Sequence, residues 1–411
     1  MRPFSLYLHI PFCLHKCPYC DFNTYALASF PEKEYVSALL AELDYRTSLQ
    51  EWRGRSVQSI YFGGGTPSLF TPASIRRIIS VVSKTLPVED DVEVSIEANP
   101  GTVSYDTLSG YYEAGINRLS LGAQSFNAEI LRALGRMHTP AQTEEAVIAA
   151  RNVGISNINI DIIYGAPSQS LADVQADLME IGKLDPTHVS PYGLTIEKST
   201  PFYTSYKKGV LRIPKEEIVI DMMQRITNEL SGCGLQRYEI SNYAKPGKEA
   251  RHNMAYWNGD DYLGLGAGAH SFTARLGDGQ TMFGRRWSNY ALPQKYIEEA
   301  SVQGSAQSWS ETLDERGAIF EYFFLGLRKC KGVSISGFES KFHRTLKQSY
   351  PCALEMLLSE GLLSYQGDQL AMTERGFMIA DSVIENFSEP ELVVPKIEKA
   401  EVGVSDSLGN V

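Results

Sequence analysis

Three cysteines fall within eight residues, Cys13, Cys17 and Cys20, in the spacing Cys-x3-Cys-x2-Cys. Thiolates are soft ligands, and three of them on one short loop suit an iron–sulfur centre. A cubane cluster bound by three cysteines keeps one iron open for a small molecule that chelates through an amine and a carboxylate. An electron passed from such a cluster into a neighbouring sulfonium breaks a carbon–sulfur bond and releases a radical. Zinc is the competing reading, with His9 or His15 completing a tetrahedral Cys3His site. Structural zinc usually draws on two separated ligand pairs, and the sequence has no second pair. Cys233, Cys330 and Cys352 are scattered in apolar or helical contexts and read as core packing or chance exposure.

Chemistry of this kind needs a frame that holds loop and ligand together, and repeated strand–helix units supply one. Strand-like runs occur at 5–10, 58–62, 92–97, 117–121, 157–163 and 188–194. Amphipathic runs at 32–48, 72–86, 140–153 and 170–184 lie between them, several opening on Pro, Ser or Thr as helix starts do. Such alternation predicts a parallel sheet with right-handed crossovers, and six units fit an open, partial (β/α)6 barrel. Polar groups and glycines follow strand after strand. They are the cysteine loop, Gly63-Gly64-Gly65-Thr66-Pro67, Glu97-Ala98-Asn99-Pro100-Gly101, Gly122-Ala123-Gln124-Ser125-Phe126, and Asp161 ahead of Tyr164-Gly165. Any one of these is explained by turn chemistry. Five on the C-terminal ends of successive strands mark the rim where barrel folds place their sites.

The fold class is therefore α/β. Residues 1–205 read as the partial barrel and 206–305 as a less regular extension rich in Gly, Asn, Tyr and Trp. Residues 306–388 read as a helical domain: runs at 313–327, 337–346 and 352–360 precede a hairpin-like segment at 363–372 and a last helix from Thr373, a winged-helix-like order. Acids outnumber bases there, which favours packing or partner binding over DNA binding. The tail 389–411 lacks periodicity and is expected to be disordered. With 43% apolar residues and a net charge of −11, the 411-residue chain can bury a core but is ill suited to nucleic acid. No apolar run approaches the roughly 20 residues that span a bilayer. Met1 leads almost directly into a strand, leaving no room for a leader peptide, and a thiol-reducing cytoplasmic location is expected. Peripheral contact with a membrane and a homodimer stay open.

Tyr7-Leu8-His9-Ile10-Pro11-Phe12-Cys13 and Lys16-Cys17-Pro18-Tyr19-Cys20-Asp21-Phe22 together resemble the radical S-adenosylmethionine superfamily. In particular they resemble its branch around oxygen-independent coproporphyrinogen III oxidase. The likeness continues to about residue 388 through Phe62-Gly63-Gly64-Gly65-Thr66-Pro67, Ile96-Glu97-Ala98-Asn99-Pro100, Arg118-Leu119-Ser120-Leu121-Gly122, Asp161-Ile162-Ile163-Tyr164-Gly165 and Tyr238-Glu239-Ile240-Ser241-Asn242. It implies a [4Fe–4S] cluster on Cys13, Cys17 and Cys20, with Tyr7 beside it in contact with the cofactor. It also implies that Gly64, Gly65 and Thr66 meet the methionine amino end of S-adenosylmethionine. Glu97, Gln124, Arg136 and Asp161 would hold its amino-acid and ribose groups. Carboxylates suit ammonium and ribose hydroxyls, and arginine suits a carboxylate. Arg136 could otherwise be a surface helix residue.

Two departures separate the chain from the decarboxylating oxidase. That enzyme carries a fourth cysteine two positions after the third, where this chain has Phe22, and a longer segment ahead of the motif. Both speak against porphyrinogen decarboxylation. Arg251-His252-Asn253-Met254-Ala255-Tyr256-Trp257 is similar instead to the pattern of the HemW haem chaperones. That likeness implies haem as a third bound group and haem-accepting respiratory apoproteins as partners. The His252 imidazole is a plausible iron ligand, and Tyr256 and Trp257 could stack on a porphyrin face. His252 could equally be a hydrogen-bonded histidine in an aromatic wall. Three readings stand: a haem chaperone, a radical enzyme acting on a tetrapyrrole side chain, and a zinc-stabilised binding protein.

Overall fold

Strand-forming and helix-forming stretches alternate through the first half of the chain as their periodicities require. A computed structural model describes residues 2–274 and 283–388; the tail expected to be disordered, 389–411, lies outside the described residues. Six strands form in sequence order: β1 (Phe4–Ile10), β2 (Val57–Gly64), β3 (Val88–Ala98), β4 (Arg118–Gln124), β5 (Asn157–Tyr164) and β6 (His188–Gly193). Each pairs in parallel with the next. Helices α1 (Glu32–Ser48), α2 (Pro72–Thr85), α3 (Tyr105–Ala114), α4 (Pro140–Asn152) and α5 (Leu171–Leu184) lie in the crossovers. Their starts are written locally. Ser104, Thr139 and Ser170 each open a reciprocal capping box, with Thr107, Gln142 and Asp173 returning the hydrogen bond. Thr71 caps α2 ahead of a first-turn proline.

Strand side chains alternate between two environments, as a period of two demands. Leu6, Leu8 and Ile10 of β1, Ile60 and Phe62 of β2, Leu119 and Leu121 of β4, and Ile158 and Ile160 of β5 join Leu39, Ile75, Ile78, Val147 and Ile181 of the helices in one apolar core. The intervening residues, among them Tyr61, Glu97, Ser120, Asp161 and Ser190, are polar and turn to the opposite face, where they line a cavity.

Residues 206–305 differ from the irregular extension that their composition suggests, because together with 307–312, the first stretch of the segment read as the helical domain, they lengthen the sheet at both edges. β7 (Gln236–Glu239) and β8 (Asn242–Ala244) form an antiparallel pair against β6. β9 (Tyr262–Leu265) adds a seventh parallel strand on the free edge of β1, followed antiparallel by β10 (His270–Thr273), β11 (Arg285–Asn289) and β12 (Gln307–Thr312). The sheet thus has twelve strands in the order β12-β11-β10-β9-β1-β2-β3-β4-β5-β6-β8-β7. Strands of three to six residues are too short to show a clear period. Between these additions stand α6 (Glu216–Gly232) and the two-turn α7 (Arg251–Trp257).

A second core begins at α8 (Glu315–Gly326) and gathers Phe323, Phe338, Phe342, Tyr350, Leu370 and Phe387. Its hairpin, Leu363–Gln366 with Gln369–Met372, is joined by a third short strand, Val333–Ser334. Met223 of α6 and Ile240 pack against this core, seating it on the edge of the large sheet. Among the described residues, no helix is long and apolar enough to cross a membrane.

Candidate functional site

The cysteine loop is clamped by its own strand. His9 Nε2 lies 2.9 Å from the carbonyl oxygen of Asn23 and Nδ1 lies 3.0 Å from the Tyr7 hydroxyl. Burial lowers the pKa of His9, so the ring is neutral. It therefore donates from Nε2 to Asn23 and accepts the Tyr7 hydroxyl at Nδ1, leaving neither nitrogen for a metal. Asn23 in turn donates to the carbonyls of Ala267 and Ala291 at 2.9 and 3.0 Å, and Lys16 to those of Phe22 and Thr24. Held at both ends, the loop presents Cys13, Cys17 and Cys20 to one cavity of about 430 Å³.

The same cavity collects the rim residues singled out above: Gly64, Gly65, Thr66, Glu97, Gln124, Arg136 and Asp161. A Cβ at Gly65 would stand 2.7 Å from the Phe12 carbonyl oxygen and 3.0 Å from Cys13 Sγ, so only glycine lets this turn lie against the cysteine loop. Thr66 Oγ1 donates to Cys13 Sγ at 3.5 Å, and Arg136 Nη1 to Cys17 Sγ at 3.6 Å. Arg136 also donates to the Gly122 carbonyl at 3.0 Å, so it is a wall residue of the site and not a surface one. The Thr66 hydroxyl works towards a Cys13 thiolate, but burial outweighs it and raises the pKa of that thiol.

Two carboxylates line the same cavity as the thiols. Glu97 accepts the Tyr61 hydroxyl at 2.8 Å and the Gly64 N–H at 3.1 Å. Burial, with the nearby Asp161 charge, pushes its pKa up to about 7. Asp161 accepts the Ser120 hydroxyl at 2.9 Å and an Asn159 amide proton at 2.8 Å, and burial raises its carboxyl as well. Gln124 sits at a φ of 65°, a left-handed conformation that residues with a Cβ seldom adopt. The turn is held there from behind: the buried Asp177 of α5 accepts from the Ser125 hydroxyl at 2.9 Å and the Phe126 N–H at 2.6 Å.

The donor set fits a cluster carrying a chelating small molecule. Three thiols share one mouth, Gly65 provides a close-approach cradle, and Asn99 Oδ1 and Arg136 Nε are buried in the cavity wall without a protein partner. Among the described residues, no three His, Cys, Asp or Glu side chains converge as ligands of a single metal ion. A cubane does not ask that of them, because it carries its thiolates on separate corners.

Four residues singled out from the sequence stand outside the cavity. Tyr7 packs one layer behind it, its ring 6.2 Å from Tyr61 and 6.1 Å from His252. His252 is 1% exposed and stacks on Tyr61 at 4.9 Å. Its Nδ1 lies 3.0 Å from Ser59 Oγ and its Nε2 2.9 Å from the Tyr256 hydroxyl. Ser59 gives its proton to Ser5, so the imidazole donates from Nδ1 and accepts Tyr256 at Nε2. Burial lowers its pKa to about 3. In this conformation His252 is the hydrogen-bonded wall histidine. Tyr256 packs edge-on against His252 at 5.0 Å, and the Arg328 guanidinium lies 5.8 Å over the Trp257 ring.

The cavity also holds Tyr61, Asn159, His188 and Ser190, which motif reading passed over, and Arg118, whose motif was quoted without a role for it. A signal for them exists. Asn159 is two positions before Asp161, Arg118 two before Ser120, and Ser190 is registered opposite Asp161, so the strand period puts them on the face already assigned.

Comparison with known proteins bears on the family and the fold. A family model described as the radical SAM superfamily matches residues 7–181, and one described as the HemN C-terminal domain matches residues 313–379. A protein of Lactococcus lactis named heme chaperone HemW is 34% identical over 94% of this chain and 97% of its own length. Its namesakes in Escherichia coli K12 and Bacillus subtilis are 35% identical over 94% and 98%, and 34% identical over 93% and 98%, respectively. A solved structure of coproporphyrinogen III oxidase (HemN) from Escherichia coli superposes with a TM-score of 0.79 at 24% identity, covering 94% of this chain and 90% of that one. At that identity the superposition speaks for the fold alone.

Proposed function

The chain belongs to the HemW family, and from that premise we propose that it is a haem chaperone, binding haem and passing it to haem-dependent respiratory proteins from a scaffold that also holds a [4Fe–4S] cluster and S-adenosylmethionine. The observation that carries the reading is the shared cavity: all three cysteines and all seven rim residues of the sequence reading open onto it. Cys13, Cys17 and Cys20 would hold the cluster. When bound, such a cluster supplies one-electron reduction and an open iron that an amine and a carboxylate can chelate. Glu97 and Asp161 offer acceptors to ammonium and ribose hydroxyls, Arg136 offers donors to a carboxylate, and Gln124 offers an amide from its fixed turn. Burial of these groups excludes water and strengthens each contact. The expected setting is the cytoplasm.

Haem would be met by the 251–257 segment. The Nδ1–H of His252 is given to Ser59, which leaves the Nε2 lone pair as the coordinating one, the arrangement usual for metal-bound histidine. For Nε2 to reach iron, the Tyr256 hydroxyl must give way and α7 must move out of its packed position. Phe22, 66% exposed, stands where the oxidase has its fourth cysteine, and we expect no porphyrinogen decarboxylation. The test is a haem titration of anaerobically reconstituted protein and its His252→Ala variant, run beside incubation with coproporphyrinogen III, S-adenosylmethionine and a reductant. Haem binding by the wild type, weakened in the variant, with no protoporphyrinogen formed, is the expected result. Turnover of coproporphyrinogen would replace the chaperone reading with the enzyme one.

A further inference from the structure

α7 borders the cavity through Asn253 and its cap residue Ala250, and two side-chain relays run from it to the two carboxylates assigned to S-adenosylmethionine. The first is short. His252 stacks on Tyr61 at 4.9 Å with the rings 23° apart, and Tyr61 donates to Glu97 Oε1 at 2.8 Å. The second is a directed chain of hydrogen bonds. The Ala250 N–H, at the cap of α7, is 3.2 Å from the Tyr238 hydroxyl oxygen, and that hydroxyl is 2.8 Å from His188 Nε2. His188 Nδ1 is 2.7 Å from Asn159 Oδ1, and the Asn159 amide donates to Asp161 at 2.8 Å. Asn159 Oδ1 can only accept, so His188 donates from Nδ1. Burial keeps that ring neutral, its pKa lowered well below the usual value, so Nε2 accepts from Tyr238. The chain runs unbroken from α7 to Asp161, and at its far end Ser120 and Ser190 share in holding Asn159. The start of α7 is pinned independently, its Arg251 and His252 N–H groups donating to the buried Glu93 at 3.3 Å.

We propose that α7 is a plug shared by the two ligands, so that haem and S-adenosylmethionine bind antagonistically. The inference rests on the haem reading above. Ligation of iron by His252 withdraws the ring from Tyr61 and the Ala250 cap from Tyr238. Glu97 then loses the packing that fixes its Tyr61 partner, and Asp161 loses the share of Asn159's orientation that comes through His188, keeping its Ser120 bond. S-adenosylmethionine, which needs both carboxylates in place, holds the plug shut. Linkage makes the effect reciprocal: whatever factor haem takes from the S-adenosylmethionine affinity, S-adenosylmethionine takes from the haem affinity. The consequence for a chaperone is release of its cargo when the second ligand arrives.

The experiment measures S-adenosylmethionine binding to reconstituted protein by equilibrium dialysis, with and without saturating hemin, while the Soret band reports haem. We expect hemin to weaken S-adenosylmethionine by about fivefold or more, within the usual range of coupling between sites. Tyr238→Phe, which keeps the ring but cuts the relay and touches neither ligand, should bring that factor towards one. Hydrogen exchange of residues 250–257 supplies a readout that does not depend on the variant: hemin should speed it and S-adenosylmethionine should slow it. A Soret band with unchanged S-adenosylmethionine affinity and unchanged exchange overturns the antagonism alone. Absence of any Soret band removes the haem reading, and the antagonism with it.

Discussion

At the scale of single residues, the site is built on close approach and on burial. Gly65 has no strained φ; its requirement comes from the Phe12 carbonyl and Cys13 Sγ, both within 3.0 Å of where a Cβ would lie. Gly65→Ala must push the two loops apart. We expect iron retention after reconstitution to fall by about tenfold or more, the scale of losses from disturbing a metal site's surroundings, with the far-ultraviolet circular dichroism unchanged. Normal iron content in that variant would show that the loops can yield. His252 gives a prediction in pH. Its pKa is held down to about 3 by burial, against 6.5 for an ordinary histidine. The unfolded chain therefore takes up a proton first as pH falls, so stability is full above 6.5 and drains away towards 3. Between pH 7 and 5 this one group should cost the wild type about 2 kcal/mol. A His252→Gln variant, although less stable at neutral pH, should lack that part of the acid slope in denaturant titrations at the two pH values.

At the scale of elements, a helix fixes a loop that the sequence marks only as polar. Asp177 faces inward from α5 and holds Ser125 and Phe126, and so keeps Gln124 at its left-handed φ. Burial raises the Asp177 pKa to about 6, a sign of how closed this contact is. Asp177→Ala leaves the Phe126 N–H and the Ser125 hydroxyl without their acceptor, which should cost about 1–3 kcal/mol in urea unfolding. It should also weaken S-adenosylmethionine, because the amide of Gln124 no longer has a fixed position. A variant that loses stability yet binds normally would detach Gln124 from the ligand. Capping boxes at Ser104, Thr139 and Ser170 were readable from residue types at local spacing. The Asp177 contact was not, since it joins residues about fifty positions apart across a helix–strand interface.

At the scale of the molecule, two cores meet along a narrow seam. Phe323 stacks on Phe387 at 4.3 Å in the smaller one, and the seam is tied by Arg237 with Glu374 at 3.0 Å and Lys329 with Asn258 at 2.9 Å. Phe323→Ala should cost the smaller core about 3–5 kcal/mol. With separate cores, unfolding need not be two-state. Calorimetry should therefore show one transition moving down by many degrees while the other, and the iron content of the reconstituted protein, stay in place. A uniform shift of a single transition would mean that the cores unfold as one.

The sequence by itself determined the elements and the chemistry they carry. Strand and helix periods, local caps and the Cys-x3-Cys-x2-Cys spacing are all short-range, so the six parallel strands and the rim glycines could be read directly. Tertiary structure decided what sequence distance hides. Strands of three to six residues between 236 and 312 acquire their identity only by pairing on sheet edges already formed. His188 enters the site only because its strand is registered against β5, where it lies opposite Asn159. The place of His252 was likewise undecidable from its motif, since a histidine between Ser59 and Tyr256 is an unpaired ligand or a satisfied wall residue according to which way one two-turn helix faces.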